Sequence, residues 1–353
     1  MKALVLAGGT GTRLWPVSRK KNPKQIEPLV GKESLLKTTV KRIKPSFKSI
    51  DIILSVNREQ LPRIKKDLGS MVSGKNYLIE PIKRDTAAAI GLAAALIAKT
   101  NPQEIIVTVN ADHYIKDSAE YLRVLKSAGE AVKKYPDHLV LVGIKPSYPE
   151  TGYGYIKLKK PFAKIGPDTF YQVDCFKEKP DLKTAKKYLA NKNYLWNPAY
   201  FVFQAGTMMK LFQRHLPEQY KILTRIAAQP SLLKSEFKKI KPISIDYAIM
   251  EKSKKMLCLP AKFSWSDIGH FASLHKTLAK SPSANVVKGK YLGQDSSGNL
   301  VYNYTDKLVA TLGVKNFVIV ETNDVLLVCP KNRAQDVKKL VEELERKKML
   351  KYL

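Results

Sequence analysis

Residues 2–16 read KALVLAGGTGTRLWP. The run from Lys2 to Ala7 is short, apolar and closed by glycines, the pattern of a buried strand. The chain then turns at Gly8-Gly9-Thr10-Gly11. Glycines at that place let backbone N–H groups approach a polyphosphate closely. The loop is not a Walker A motif, because no Gly-Lys-Ser/Thr comes after it at the needed spacing. It also misses the GxGxxG spacing of dinucleotide sites, because Leu14 stands where the third glycine belongs. The next residues are basic: Arg13 comes two residues after Gly11, and Lys24 sits in Pro23-Lys24-Gln25. A loop bearing Arg and Lys can close over phosphates and neutralise charge that develops during transfer.

Outward from this stretch, apolar runs at 50–56, 77–80, 104–109 and 139–144 read as further strands. They alternate with helical stretches at 34–43, 58–67, 86–99 and 118–134, the third of which Asp85 or Thr86 can cap. Such alternation predicts an α/β fold with an open, mainly parallel sheet and helices on both faces. The Gly-, Tyr-, Pro- and Lys-rich segment 150–205 is expected to insert short strands and loops over the sheet edge, and 206–226 and 246–254 to be helices. Texture changes at Lys280-Ser281-Pro282-Ser283-Ala284, a linker-like segment. Short strands are expected after it, at 286–292, 299–303, 307–312, 316–320 and 325–329, and a charged helix at 331–348. We place a boundary there, giving one domain of 1–280 and a smaller one of 281–353.

The chain's 353 residues suit one large domain and a small one. No stretch approaches the ~18 apolar residues that span a bilayer, and the first apolar run is too short for a signal peptide, so a cytoplasmic protein with no membrane contact is expected. Cys175, Cys258 and Cys329 are odd in number and far apart, which predicts buried, reduced thiols. His270 and His275 do not share a helical face, which argues against a histidine metal site. Lys and Arg number 62 against 31 Asp and Glu, a formal charge of +31. Nucleic-acid binding must be weighed at that charge. The basic residues are scattered and lack the interleaved aromatics of a single-strand platform. They read as a solvated lysine surface that also favours a triphosphate, with no specific nucleic acid as partner.

The stretch GGTGTRLWP…PKQ resembles the N-terminal signature of the sugar-nucleotide pyrophosphorylases. The likeness continues in order through Glu80-Pro81 with Arg84-Asp85-Thr86-Ala87, Ala111-Asp112-His113, Glu150-Thr151-Gly152-Tyr153-Gly154-Tyr155 and Phe176-Lys177-Glu178-Lys179-Pro180. It ends with Trp196-Asn197, Ser244-Ile245-Asp246-Tyr247-Ala248 and Trp265-Ser266-Asp267-Ile268-Gly269. Together these are similar to the mannose-1-phosphate guanylyltransferases. The resemblance implies a Rossmann-like nucleotidyltransferase domain followed by a β-rich, left-handed β-helix-like domain. It departs at Pro198-Ala199, where the family has Ser-Gly and a methyl group could crowd the sugar, and at Asp85, where the family has Asn and a charge is added near the nucleotide.

The resemblance also implies roles for single residues. Asp112 and Asp267 hold Mg²⁺, a hard cation suited to carboxylates and phosphate oxygens. Ala7, Gly8, Gly9, Gly11, Thr12, Arg13, Lys24, Glu80 and Thr86 bind the nucleotide, with Arg13 and Lys24 on the β and γ phosphates and Glu80 accepting from the guanine edge. Gly154, Glu178, Lys179 and Asn197 bind the sugar phosphate, with Lys179 on its phosphate. Arg13, Lys24 and Lys179 form the catalytic set. His113 orients the Asp112 turn or faces phosphate, Trp196 and Trp265 support by packing, and Tyr153 and Tyr155 carry no chemistry. The expected reaction is GMP transfer from GTP to mannose 1-phosphate, giving GDP-mannose and pyrophosphate, in a homodimer. The alternatives are another nucleotide and sugar 1-phosphate pair, such as a thymidylyl- or adenylyltransferase acting on glucose 1-phosphate, or a non-catalytic regulator that binds sugar nucleotide or RNA. An isomerase activity of the cupin type is not expected, since the tail lacks clustered histidines.

Overall fold

The computed structural model of the chain describes residues 1–9 and 11–353. β1 (Lys2–Leu6), β2 (Ile52–Asn57), β3 (Tyr77–Glu80) and β4 (Ile105–Asn110) lie parallel in the order β3-β2-β1-β4. β5 (His113–Ile115) leaves that plane. β6 (Leu139–Ile144), β7 (Gly154–Ile165), β8 (Asp168–Lys177), β9 (Tyr194–Asn197), β10 (Phe201–Gln204) and β11 (Met256–Ala261) extend the sheet to ten strands. The segment expected over the sheet edge is thus part of the sheet. β7 pairs antiparallel with β8 and β9, and β10 runs antiparallel between β4 and β6 in the sheet's interior. β12 (Trp265–Asp267) pairs antiparallel with β5.

Period-two alternation feeds two cores. Ala3 and Val5 of β1 join one, with Val107 and Val109 of β4, while Leu4 and Ile106 point to the other. The first core is covered by α1 (Leu35–Ile43), α2 (Leu61–Leu68) and α4 (Ser118–Lys134). The second is covered by α3 (Asp85–Thr100), α6 (Ala205–His215) and α7 (Pro217–Ala228). α5 (Leu182–Ala190) follows the β7–β8 hairpin, and α8 (Leu233–Glu236) and α9 (Ile245–Ala248) are single turns. The single helix expected over 206–226 is broken at Leu216-Pro217, because proline offers no N–H and keeps its predecessor out of the helical region. The helix expected over 246–254 is α9 followed by a 3₁₀ turn at Met250–Lys252.

After α10 (Phe271–Leu278), β13 (Val286–Lys288), β15 (Leu300–Asn303) and β17 (Phe317–Glu321) stack in parallel, with β18 (Leu326–Pro330) antiparallel at one side. β14 (Tyr291–Gln294) pairs in parallel with β16 (Val309–Leu312). Stacked parallel rungs on successive turns of the chain make a β-helix. The strand expected over 286–292 is split by Gly289, whose φ of 90° turns the corner between β13 and β14. A 3₁₀ turn at Lys331–Asp336 leads into α11 (Val337–Arg346). Among the described residues no helix is long and apolar enough to cross a membrane. Cys258 is buried as expected, whereas Cys175 is exposed near the C-terminal end of β8 and Cys329 is half-buried.

Candidate active site

β1 and β4 are parallel neighbours, so their carboxyl ends open at one edge, where open α/β sheets bind ligands. The glycine loop leaves β1 there, and Asp112 follows β4. The β5–β12 register, Asp267 opposite His113, brings the second carboxylate alongside the first. Lys24 Nζ lies 2.5 Å from Asp112 Oδ2 and 3.8 Å from Asp267 Oδ1, and donates to the Ile268 carbonyl at 3.3 Å. Burial works against the lysine's charge, but the two aspartates outweigh it and hold the proton more tightly than usual. Burial likewise opposes ionisation of Asp112, and the Lys24 ammonium, by its charge and its hydrogen bond, overcomes it, so its carboxyl stays below its ordinary value. The Lys24 stem crosses Gly11, where a Cβ would come within 2.8 Å of it. Gly11 also has a φ of 67°, so no other residue fits there without strain.

His113 is turned away from the carboxylates by its Nδ1. The Trp265 indole N–H, which can only donate, reaches that nitrogen at 3.0 Å, and Tyr200 Oη lies 2.7 Å from it. The neutral ring therefore carries its proton on Nε2, which faces Asp112 Oδ1 at 4.0 Å. Burial lowers the imidazole's affinity for a second proton. Arg13 is exposed on the short 3₁₀ turn Thr12–Leu14 and makes no ion pair with the described residues.

Glu80 ends β3, is buried, and accepts from Ser55 Oγ at 2.6 Å. Burial pushes its carboxyl up to about 7, with the Ser55 bond and Lys83 opposing. It shares one pocket with the loop, because a Cβ on Gly8 would stand 3.5 Å from Glu80 Oε1. Asn57 Nδ2 donates to the Gly8 carbonyl at 2.7 Å, and Gln25 Nε2 donates to Ala7 O at 2.5 Å and Gly9 O at 3.2 Å, so two amides hold the loop's shape. Ala7 N–H is already engaged with Ser55 O at 2.9 Å. Thr86 Oγ1 accepts from Ile245 N–H at 2.9 Å, which ties α3 to the start of α9. Neither Asp85 nor Thr86 caps α3 in the expected way. Asp85 has a φ of 65° and takes its neighbour's N–H at 2.7 Å, a local bond that Asn would also favour.

The other half of the cleft comes from the antiparallel strands. The β7–β9 register sets Gly154 opposite Asn197, and Glu178 follows β8. A Cβ on Gly154 would come 2.5 Å from Glu178 Oε2. Lys179 Nζ binds Glu178 Oε1 at 2.8 Å, and Lys179 has a φ of 45°, a strained conformation of the kind that collects at functional sites. Burial weakens the Lys179 charge, and Glu178 more than restores it. Tyr153 stands edge-on to both Trp196 and Trp265, with ring centroids 5.4 and 5.0 Å away, so one aromatic wall joins this cleft to the Asp267 turn. Sequence reading assigned nothing to Gln25, Ser55, Asn57, Tyr200 or Asp246. Of these, Gln25 and Asp246 lie inside the resembling segments.

The nucleotidyl transferase family model matches residues 2–283, and the mannoseP isomerase/GMP-like beta-helix domain model matches 289–344. Mannose-1-phosphate guanylyltransferase 2 of Escherichia coli O157:H7 is 36% identical, over 99% of this chain and 75% of its own length. The chain belongs to the mannose-1-phosphate guanylyltransferase family. The mannose-1-phosphate guanylyltransferase RfbM of Salmonella typhimurium is also 36% identical, over 97% of this chain and 72% of its own. A crystal structure described as mannose-1-phosphate geranyltransferase from Thermus thermophilus superposes with a TM-score of 0.88 at 36% identity, covering 98% of this chain and 99% of that one. As a member of this family the chain is a nucleotidyltransferase, and such enzymes generally use a divalent metal. The residues present fit one. Ligand atoms of Asp112, His113 and Asp267 lie within 4.8 Å of one another; with the His113 ring nitrogens occupied by its proton and its hydrogen bonds, the two carboxylates are the donors, and Asp267 Oδ1 is buried with no hydrogen-bond partner. The Lys24 ammonium, near both carboxylates, marks the place where positive charge is favoured.

Proposed function

We propose that the chain transfers GMP from GTP to α-D-mannose 1-phosphate, releasing pyrophosphate and forming GDP-mannose. The observation that carries this reading is the meeting of Asp112, Asp267 and Lys24 beside the glycine loop. The names of the guanylyltransferase relatives support the substrate pair.

A phosphate oxygen of the sugar phosphate, ionised at neutral pH, attacks the α-phosphorus of GTP. The bond to the bridging oxygen breaks, and pyrophosphate leaves with the electron pair. No protein nucleophile is required, so the chain's work is positioning and charge neutralisation. The loop from Ala7 through Gly8, Gly9, Gly11 and Thr12 lies along the triphosphate, and Arg13 and Lys24 neutralise the departing β and γ phosphates. Glu80 accepts from the guanine edge, with Thr86 at the near end of α3. Lys179 aims the sugar phosphate, and Gly154, Glu178 and Asn197 surround the sugar. Asp112 and Asp267 would hold Mg²⁺, which when bound supplies charge neutralisation to the triphosphate. The enzyme works in the cytoplasm as a homodimer, with 1–280 as the catalytic unit and 281–353 as the smaller one.

The test is a panel of nucleoside triphosphates against sugar 1-phosphates, scored by pyrophosphate release in Mg²⁺. GTP with mannose 1-phosphate should be the best pair. Equal turnover of ATP or dTTP would overturn the guanine assignment.

A further inference from the structure

The stretch Ser244-Ile245-Asp246-Tyr247-Ala248 has no part in the mechanism above, yet the fold carries Asp246 into the sugar-phosphate cleft. Ser244 Oγ caps α9 by accepting from Tyr247 N–H at 3.4 Å, and Ile245 N–H donates to Thr86 Oγ1 at 2.9 Å, so two bonds hold the start of the turn. Asp246 Oδ1 then accepts from Asn197 Nδ2 at 3.0 Å. Its carboxylate lies close enough to Glu178 and Lys179 to feel both charges.

The hydrogen-bonding capacity of the cleft is uneven. Asn197 is engaged at both ends of its amide, with Oδ1 taking Ala199 N–H at 2.9 Å while Nδ2 holds Asp246. One Asn197 N–H remains. Asp246 has a single side-chain donor among the described residues, although a carboxylate offers about four acceptor sites. Glu178 presents Oε1 to Lys179, and its Oε2 faces the space left by the missing Cβ of Gly154. Two carboxylates therefore bring open acceptor sites to one cleft, where Lys179 is the neighbouring cation.

We propose that Asp246 is a specificity-determining residue for the sugar, accepting hydrogen bonds from hydroxyl groups of a hexose 1-phosphate together with Glu178, while Asn197 positions it. This rests on the reading of the cleft as the sugar-phosphate subsite. A polyol supplies the donors that a cleft of acceptors lacks, and a site built to bond hydroxyls rejects an epimer that leaves an acceptor unpaired. Burial and the Glu178 charge push the Asp246 carboxyl up to about 7, against Lys179 and Asn197. Sugar binding should therefore draw on the ionised form and weaken as pH falls below that value.

The experiment measures pyrophosphate release with GTP against mannose 1-phosphate and glucose 1-phosphate, beside calorimetry of GTP–Mg²⁺ binding. Asp246→Asn should raise the KM for mannose 1-phosphate roughly tenfold or more, shrink the preference between the two sugars, and leave GTP affinity within about twofold. The sugar phosphate itself titrates at about pH 6, so Asp246→Asn is the reference: the wild-type rise in KM between pH 8 and pH 6 should exceed that of Asp246→Asn, and the excess should persist in Asn197→Ala, whose own KM rise is smaller. Asp246→Glu should recover part of the KM and keep the pH dependence. A wild-type KM and sugar preference in Asp246→Asn overturns the proposal. So does an equal loss of GTP affinity in both Asp246 variants, which marks a structural role. If the wild type turns over only a different sugar 1-phosphate, the substrate assignment fails, and the same variants measured with that sugar still decide the role of Asp246.

Discussion

Glu80→Gln tests the guanine assignment through pH. Burial holds the Glu80 carboxyl at about 7 instead of 4.5. The guanine edge offers two donors, N1–H and the exocyclic amine, and an ionised carboxylate can accept from both, whereas the protonated acid replaces one acceptor with a donor. If only the ionised form is competent, apparent affinity follows its population. That population is about nine-tenths at pH 8 and about one-tenth at pH 6, so GTP binding should weaken close to tenfold over this range. The terminal phosphate of GTP titrates in the same window, and Glu80→Gln, which keeps that titration and lacks the carboxyl, is the reference. The ratio of wild-type to variant dissociation constants should change about tenfold between pH 8 and pH 6. Stability of the nucleotide-free protein has the opposite sign. A carboxyl whose folded value is raised contributes stability that is complete below its unfolded value of 4.5 and is lost as pH rises through about 7. Relative to wild type, Glu80→Gln should therefore gain up to about 3 kcal/mol at pH 8 and nothing below pH 4.5. Calorimetry and urea unfolding at four pH values measure both effects. Parallel pH curves for the two proteins would refute the assignment and the burial argument together.

Asp112→Asn and Asp267→Asn should each lose most transfer activity while unfolding at normal urea concentrations, and EDTA should stop the wild type; full turnover in EDTA removes the metal assignment. Lys179→Ala should bind GTP–Mg²⁺ nearly as the wild type does yet show a large fall in kcat/KM for mannose 1-phosphate. Lys179→Arg should restore only part of it, because a forked guanidinium does not reproduce a compact ammonium; equal loss of GTP affinity would place this lysine in the other subsite. Ala199 has a φ of 56° in the strained region. A side chain there costs about 1–2 kcal/mol, against about 0.4–1 kcal/mol for the extra freedom of unfolded glycine. Ala199→Gly should raise stability by up to about 1 kcal/mol in urea unfolding, and a destabilised variant contradicts the strain.

The parallel strands were legible because each is an apolar run closed by a turn. The place of β10 was not. Phe201–Gln204 is a short apolar run, and nothing local says that it returns between β4 and β6. The β7–β8 hairpin hid for a different reason: its outer half is exposed, so Lys159, Lys160 and Lys164 mask the strand pattern. At the site, charged residues directly after strands announced themselves. Ser55, Asn57 and Gln25 did not, because a neutral side chain that holds another residue's backbone or carboxylate takes its meaning from a partner distant in sequence. Pro217 marks the break between α6 and α7 locally, but the apolar period runs on through it and masks the boundary.

The residues after 281 hold none of the proposed site residues, yet the site depends on them. Leu14, Trp15, Val17 and Leu29, which follow the glycine loop, share one apolar core with Ile268, Phe271 and Leu274, which follow Asp267. That core's floor is Leu300, Tyr302, Val318, Val320, Leu327, Val337 and Val341. Polar contacts fix the direction of the packing. The Trp15 indole donates to Tyr352 O at 2.7 Å, Tyr302 Oη donates to Leu29 O at 2.7 Å, and Arg19 forks onto Asp324 at 2.8 and 2.6 Å. The fork is well formed, but its carboxylate is half exposed, so it contributes at most about 1 kcal/mol. A fully buried leucine or phenylalanine contributes about 1.5–3 kcal/mol, and several meet here, so the apolar floor decides the loop's position. A long loop without such packing opens at little free-energy cost. The loop that carries Lys24 and the turn that carries Asp267 rest on the same floor, and Lys24 donates across it to Ile268 O at 3.3 Å. The distances among Lys24, Asp112 and Asp267 are therefore set from two sides, by the carboxyl ends of the parallel strands and by the β-helix packed beneath the two loops.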